Sequence, residues 1–78
     1  MKKITIYSTP TCHYCNLAKD FFDAHNMSYT VHDVSTDRPR RQEMIKKSDQ
    51  MGVPVILIGD KVLVGFIEED VKKALGLK

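Results

Sequence analysis

Between Tyr7 and Phe22, in the stretch YSTPTCHYCNLAKDFF, the pattern changes from that of a strand to that of a helix, and both cysteines of the chain sit at the change. Upstream, Lys3 to Tyr7 (KITIY) is β-branched and aromatic, which predicts a strand. Pro10 and Thr11 break it, and Thr11 supplies an N-cap for a helix starting at Cys12. Cys15, Ala18 and Phe22 then fall on one helical stripe with Leu17 and Phe21 beside it, the periodicity of a core face. The helix should stop near His25 and Asn26, because Asn tolerates the left-handed cap conformation.

The rest of the chain continues the alternation. Ser28 to Val34 (SYTVHDV) predicts a second strand. Ser35, Thr36 and Asp37 offer caps, and Pro39 suits the first turn of a short helix running to about Lys47, with Met44 and Ile45 as its apolar contacts. Gly52 ends the connection, and Val55 to Ile58 (VILI) reads as a buried strand. Gly59-Asp60 is a turn signal that returns Lys61 to Val64 (KVLV) as a hairpin partner. Gly65-Phe66 breaks that strand. Glu68, Glu69 and Asp70 then place three acids in the first turn of a last helix, where they complement its dipole. The predicted order is β-α-β-α-β-β-α, an α/β fold. It starts with a parallel βαβ unit and ends in an antiparallel pair, giving a four-stranded mixed sheet flanked by three helices.

At 78 residues, a single domain over 1–78 is expected. A formal net charge of +2 is too weak to point to nucleic acid or a membrane surface. After Met1, Lys2 and Lys3, only ITIY precedes polar residues, shorter than the roughly 7–15 apolar residues of a secretory signal. The longest apolar run, Val53 to Ile58, falls well below the roughly 20 residues that span a bilayer. A cytoplasmic location is therefore expected, where a lone cysteine pair is seldom a permanent structural disulfide.

The spacing of Cys12 and Cys15 puts both thiols on one helix face. Cys12 sits where free backbone N–H groups and the positive end of the dipole favour an anion. The thiolate is the reactive form of cysteine, and such positions lower the thiol's pKa below the free value of about 8.5. Cys15, one turn further in, is less stabilised as an anion. The pair therefore predicts thiol–disulfide exchange, with Cys12 as nucleophile and Cys15 as resolving thiol. A structural zinc site needs about four ligands, whereas the chain has one cysteine pair; His13 is poorly placed within it, and His25 and His32 are distant in sequence, so no metal is expected. A structural disulfide across so short a loop gains little chain entropy.

With TCHYC following a first strand, Gly52-Val53-Pro54 about 40 residues on, and GD and GF in the hairpin and its exit, the chain resembles the glutaredoxin family of the thioredoxin fold. The likeness runs from Ile4 to about Leu75. It implies a cis Val53–Pro54 bond, with Pro54 beside the cysteine pair and Val53 offering backbone groups to a substrate in strand-like pairing. It also implies that Tyr14 walls the rim and that Thr11 joins the substrate contacts; His13, which departs from the family pattern, either favours the Cys12 anion by its charge when protonated or is a solvent-exposed side chain with no redox role. The expected activity is reduction of protein disulfides or of glutathione mixed disulfides, with no tightly bound cofactor and with glutathione as co-substrate. A monomer is expected, acting on disulfide-bearing proteins.

Several positions depart from the glutathione-using pattern. His13-Tyr14 replaces Pro-Tyr, Thr9 stands where a lysine is usual, and Gly52 stands where threonine is usual. Gly65-Phe66 instead resembles the small NrdH-type redoxins, which serve ribonucleotide reductase and draw electrons from thioredoxin reductase; such a flavoprotein is the alternative donor. Loss of the proline also leaves open a third reading, an iron–sulfur cluster held between two subunits. Arg38, Arg40, Arg41, Lys46 and Lys47 form a basic stripe on the second helix that reads chiefly as a solvated face.

Overall fold

A computed structural model describes residues 3–77. In chain order these residues form β1 (Ile4–Ser8), α1 (His13–Ala24), β2 (Thr30–Asp33), α2 (Arg38–Ser48), β3 (Val55–Ile58), β4 (Lys61–Val64) and α3 (Glu68–Leu75). The sheet order is β2-β1-β3-β4, with β1 parallel to β2 and the other two pairs antiparallel. This is the predicted mixed sheet of a thioredoxin-like fold. β3, β4 and α3 keep their expected bounds. β1 is shifted by one residue and β2 is shorter at both ends than the alternation suggested.

The strand pairing decides where the functional loops go. Tyr7 pairs with Val55, and Val55 pairs with Val64. The end of β1, the start of β3 and the end of β4 therefore lie at one end of the sheet. The segments leaving or entering there are 9–12, 52–54 and 65–67. Gly65 ties two of them together: its N–H donates to the Pro54 carbonyl at 2.8 Å, from a φ of 83° that a side chain rarely adopts.

Each sheet face carries its own core. On one side Ile4, Ile6, Ile56 and Ile58 meet Ala18, Phe21 and Phe22 of α1 and Val71 and Ala74 of α3. Phe66, half-buried, completes this layer, its ring 5.8 Å from that of Phe21. On the other side Tyr7, Val34 and Val55 pack with Met44 of α2, with Ile45, Val53 and Leu57 partly buried against them. Leu17 departs from the expected core stripe. It is 38% exposed, because Cys15, Ala18, Phe21 and Phe22 already fill the face of α1 that meets the sheet.

The basic stripe of α2 is partly neutralised. Glu43 accepts from Arg40 at 2.8 Å and pairs with Lys47 at 3.3 Å. The Arg40 hydrogen bond, reinforced by Lys47, holds the Glu43 carboxyl down at about 2. Burial, with Glu43 nearby, pushes the Tyr7 hydroxyl up. His32 lies in β2 with its ring 5.6 Å from that of Tyr7, and His25 closes α1 through Nδ1 on the Phe21 carbonyl at 2.8 Å. Both are ordinary strand and helix-end residues.

Two outcomes follow from this packing. Phe22 is fully buried and touches the rings of Phe21 and Tyr29. Phe22→Ala should lower unfolding stability by about 3–5 kcal/mol in denaturant titrations; a loss below about 1 kcal/mol contradicts the assigned core. Glu43 titrates lower in the folded chain than in the unfolded one. Its contribution is therefore complete above the ordinary carboxylate value of about 4.3 and is lost as pH falls towards 2. Glu43→Gln should flatten acid unfolding in that window, and an unchanged acid profile contradicts the ion pair's role.

Candidate active site

The first strand reaches the sheet end at Ser8, and the chain must turn there to lay α1 back across the sheet. Cys12 N–H donates to the Thr9 carbonyl at 3.2 Å, closing that turn. Helix α1 begins one residue later than the sequence suggested. The N-cap is Cys12, not Thr11: Cys12 has an extended backbone, and its Sγ accepts the Cys15 N–H at 3.1 Å. A sulfur takes the place of the usual cap oxygen on one of the unpaired amides of the first turn. Thr11 is left exposed in the turn.

Cys12 and Cys15 are joined as a disulfide, with Cα atoms 5.2 Å apart. Their environments differ. Cys12 is half-buried at the helix mouth, while Cys15 is fully buried. Between them His13 and Tyr14 point outward, their rings meeting edge-on at 5.5 Å, with Tyr14 58% exposed. The local arrangement fits reversible dithiol–disulfide chemistry: one accessible sulfur, one shielded sulfur, and an amide aimed at the accessible one.

The Val53–Pro54 peptide bond is cis, and Pro54 is buried at the entrance to β3. It occupies the same end of the sheet as the cysteine turn. Pro54 has no N–H, and its carbonyl is taken by Gly65. Gly52 is paired on both sides with the Gln50 side chain. Among the described residues none hydrogen-bonds the Val53 N–H or C=O. The structure thus brings the sequence-derived residues Thr11, Cys12, His13, Tyr14, Cys15, Val53 and Pro54 to one end of the sheet. Gln50, whose side chain orders the same loop, was missed, because it belongs to no motif that spacing reveals; the sequence marks Gly65 as the end of the hairpin strand and part of the family likeness, but not as the partner of the Pro54 carbonyl. Met51 and Ile67, 63% and 55% exposed, add apolar surface to the flanking segments.

Among the described residues, no group of three or more His, Cys, Asp or Glu side chains is placed to hold a metal ion. No described helix is long and apolar enough to cross a membrane.

The glutaredoxin family model matches residues 4–63. The chain belongs to the glutaredoxin family. It is 39% identical over 72 residues, 92% of its length and 96% of the relative's, to a glutaredoxin-like 8.6 kDa protein in the rubredoxin operon of Clostridium pasteurianum. Glutaredoxin 3 of Escherichia coli K12 is 34% identical over 58 residues, 74% of this chain and 70% of the relative. A crystal structure of a mutant of the thioredoxin-like protein BC3987 superposes over all of both chains with a TM-score of 0.90 at 31% identity. With its Cys12–Cys15 pair, this glutaredoxin is a thiol–disulfide oxidoreductase.

The burial difference gives a direct expectation. In the reduced protein a brief pulse of iodoacetamide should alkylate Cys12 at least about tenfold faster than Cys15, as read by peptide mass mapping. Equal labelling, or labelling of Cys15 first, contradicts the assigned environments.

Proposed function

We propose that this glutaredoxin reduces protein disulfides and glutathione mixed disulfides, with Cys12 as the attacking thiolate and Cys15 as the resolving thiol. The observation that carries the reading is the asymmetry of the pair: Cys12 half-exposed with an amide on its sulfur, Cys15 buried. Cys12 Sγ⁻ attacks one sulfur of the substrate disulfide, forming a mixed disulfide and releasing the other sulfur as a thiolate. Cys15, on losing its proton, attacks Cys12 Sγ and expels the second substrate sulfur. Two electrons pass to the substrate, and the protein is left with the Cys12–Cys15 disulfide.

Val53 receives the substrate backbone beside Cys12 through its free N–H and C=O, a one-residue version of strand addition. Tyr14 walls the rim, Thr11 lies on the approach to Cys12, and His13, when protonated, favours the Cys12 anion. The protein acts as a cytoplasmic monomer without a tightly held cofactor.

A second reading concerns the electron donor. Thr9 carries no charge, and Gly52 has its backbone groups already occupied, which leaves few partners for the two carboxylates of glutathione. Exposed Tyr14, Met51 and Ile67 offer apolar surface instead. These features favour a thioredoxin-reductase-type flavoprotein as donor over glutathione.

Cys15→Ser tests the central step. Incubated with a disulfide-bearing peptide, it should accumulate a stable mixed disulfide on Cys12, whereas Cys12→Ser should form none. Adducts mapped to residue 15 of the wild type would sink the assignment. In the same variant, slow formation of a glutathione adduct relative to the peptide adduct supports the flavoprotein donor, and rapid formation supports glutathione.

A further inference from the structure

The loop before Pro54 is built around one side-chain amide. At the end of α2, Asp49 adopts a left-handed conformation (φ 59°) that turns the chain back on itself. Ser48 anchors the turn: its hydroxyl donates to the Met44 carbonyl at 2.7 Å and lies 3.1 Å from the Gln50 carbonyl oxygen. Gln50 then folds its side chain over Gly52. Gln50 Nε2 donates to the Gly52 carbonyl at 2.9 Å, and the Gly52 N–H donates to Gln50 Oε1 at 2.6 Å. The amide is thereby paired on both sides, as the backbone of a neighbouring strand would be.

This explains a glycine that backbone geometry does not require. Gly52 does not have the positive φ seen at Gly65 and Gly76. What a side chain there would meet is Gln50: a Cβ on residue 52 would sit 2.9 Å from Gln50 Oε1. Gly52 and Gln50 therefore form a matched pair, and a larger residue at 52 is compatible with the loop only if the amide moves away.

We infer that Gln50 is a positioning residue that clamps Gly52 as a built-in strand partner and so holds the adjoining Val53 in place to pair with a substrate backbone. The inference rests on the reading of Val53 given above and adds the device that fixes it. With Gly52 held by Gln50 and the Pro54 carbonyl held by Gly65, the chain is fixed on both sides of Val53, whose own N–H and C=O stay open to an incoming extended peptide. Released from the amide, Gly52 regains its backbone freedom, Val53 loses its fixed direction, and the peptide must bear the cost of ordering the loop when it binds.

The test uses pre-reduced protein in single-turnover reduction of two substrates with the same leaving group. One is 2-hydroxyethyl disulfide, which has no backbone. The other is a short peptide whose cysteine is capped with 2-mercaptoethanol. Gln50→Ala should lower the rate on the peptide by about tenfold more than the rate on the small disulfide, through KM rather than kcat. Gly52→Ala should do the same in the parent chain but add little in the Gln50→Ala background, since the amide it displaces is already gone. If both substrates slow equally, or neither does, or the two substitutions add, Gln50 has no positioning role and the inference falls. If the parent protein reduces the peptide no faster than 2-hydroxyethyl disulfide, backbone pairing at Val53 fails first and the inference falls with it.

Discussion

The Cys15 N–H to Cys12 Sγ hydrogen bond is the contact on which the site depends. It caps the helix and directs a backbone donor at the accessible sulfur in a single interaction. An N-terminal turn of helix has amides without intrahelical partners, and something must satisfy them. Here the accessible sulfur, Cys12 Sγ, does so. A negative charge on that sulfur gains the hydrogen bond and the favourable end of the helix dipole together. The same turn buries Cys15, so one thiol is shielded by the geometry that exposes the other.

The sheet supplies the second half of the arrangement. The antiparallel pairing of β1 with β3 and of β3 with β4 delivers three chain segments to one end of the sheet. One carries the cysteines, one carries the cis Val53–Pro54 bond, and one carries Gly65, which ties itself to the Pro54 carbonyl. Cores on both faces hold these strands in register, and fully buried Ile6, Ile56 and Val55 leave little freedom for slippage. Rigid strands thus position loops whose unpaired groups are few and specific.

Much of this was legible in the sequence, and the exceptions have physical causes. VILI, GD and KVLV define β3, the turn and β4 to the residue, because a short apolar strand followed by a strong turn signal leaves little choice. Asp37 and Pro39 mark the start of α2 for the same kind of reason. The cap of α1 was misplaced by one residue because Thr11 is the commoner cap type, whereas a sulfur cap shows itself only through geometry. Leu17 lies beside the stripe defined by Ala18 and Phe22, and periodicity alone does not say how wide the buried face is. The Gln50–Gly52 pairing left no signature at all. A side chain bonding to backbone two residues on depends on the turn at Asp49, which composition does not specify.

The most direct test of the account is the pH dependence of Cys12 alkylation in a Cys15→Ser variant, where only one thiol remains and the residue 15 amide is kept. Thiolate, not thiol, reacts, so the rate follows ionisation of Cys12. The account predicts half-maximal rate clearly below the free-cysteine value of about 8.5. A half-maximal rate at or above that value would mean that the helix mouth does not stabilise the Cys12 anion, and the assignment of Cys12 as the activated nucleophile would be wrong.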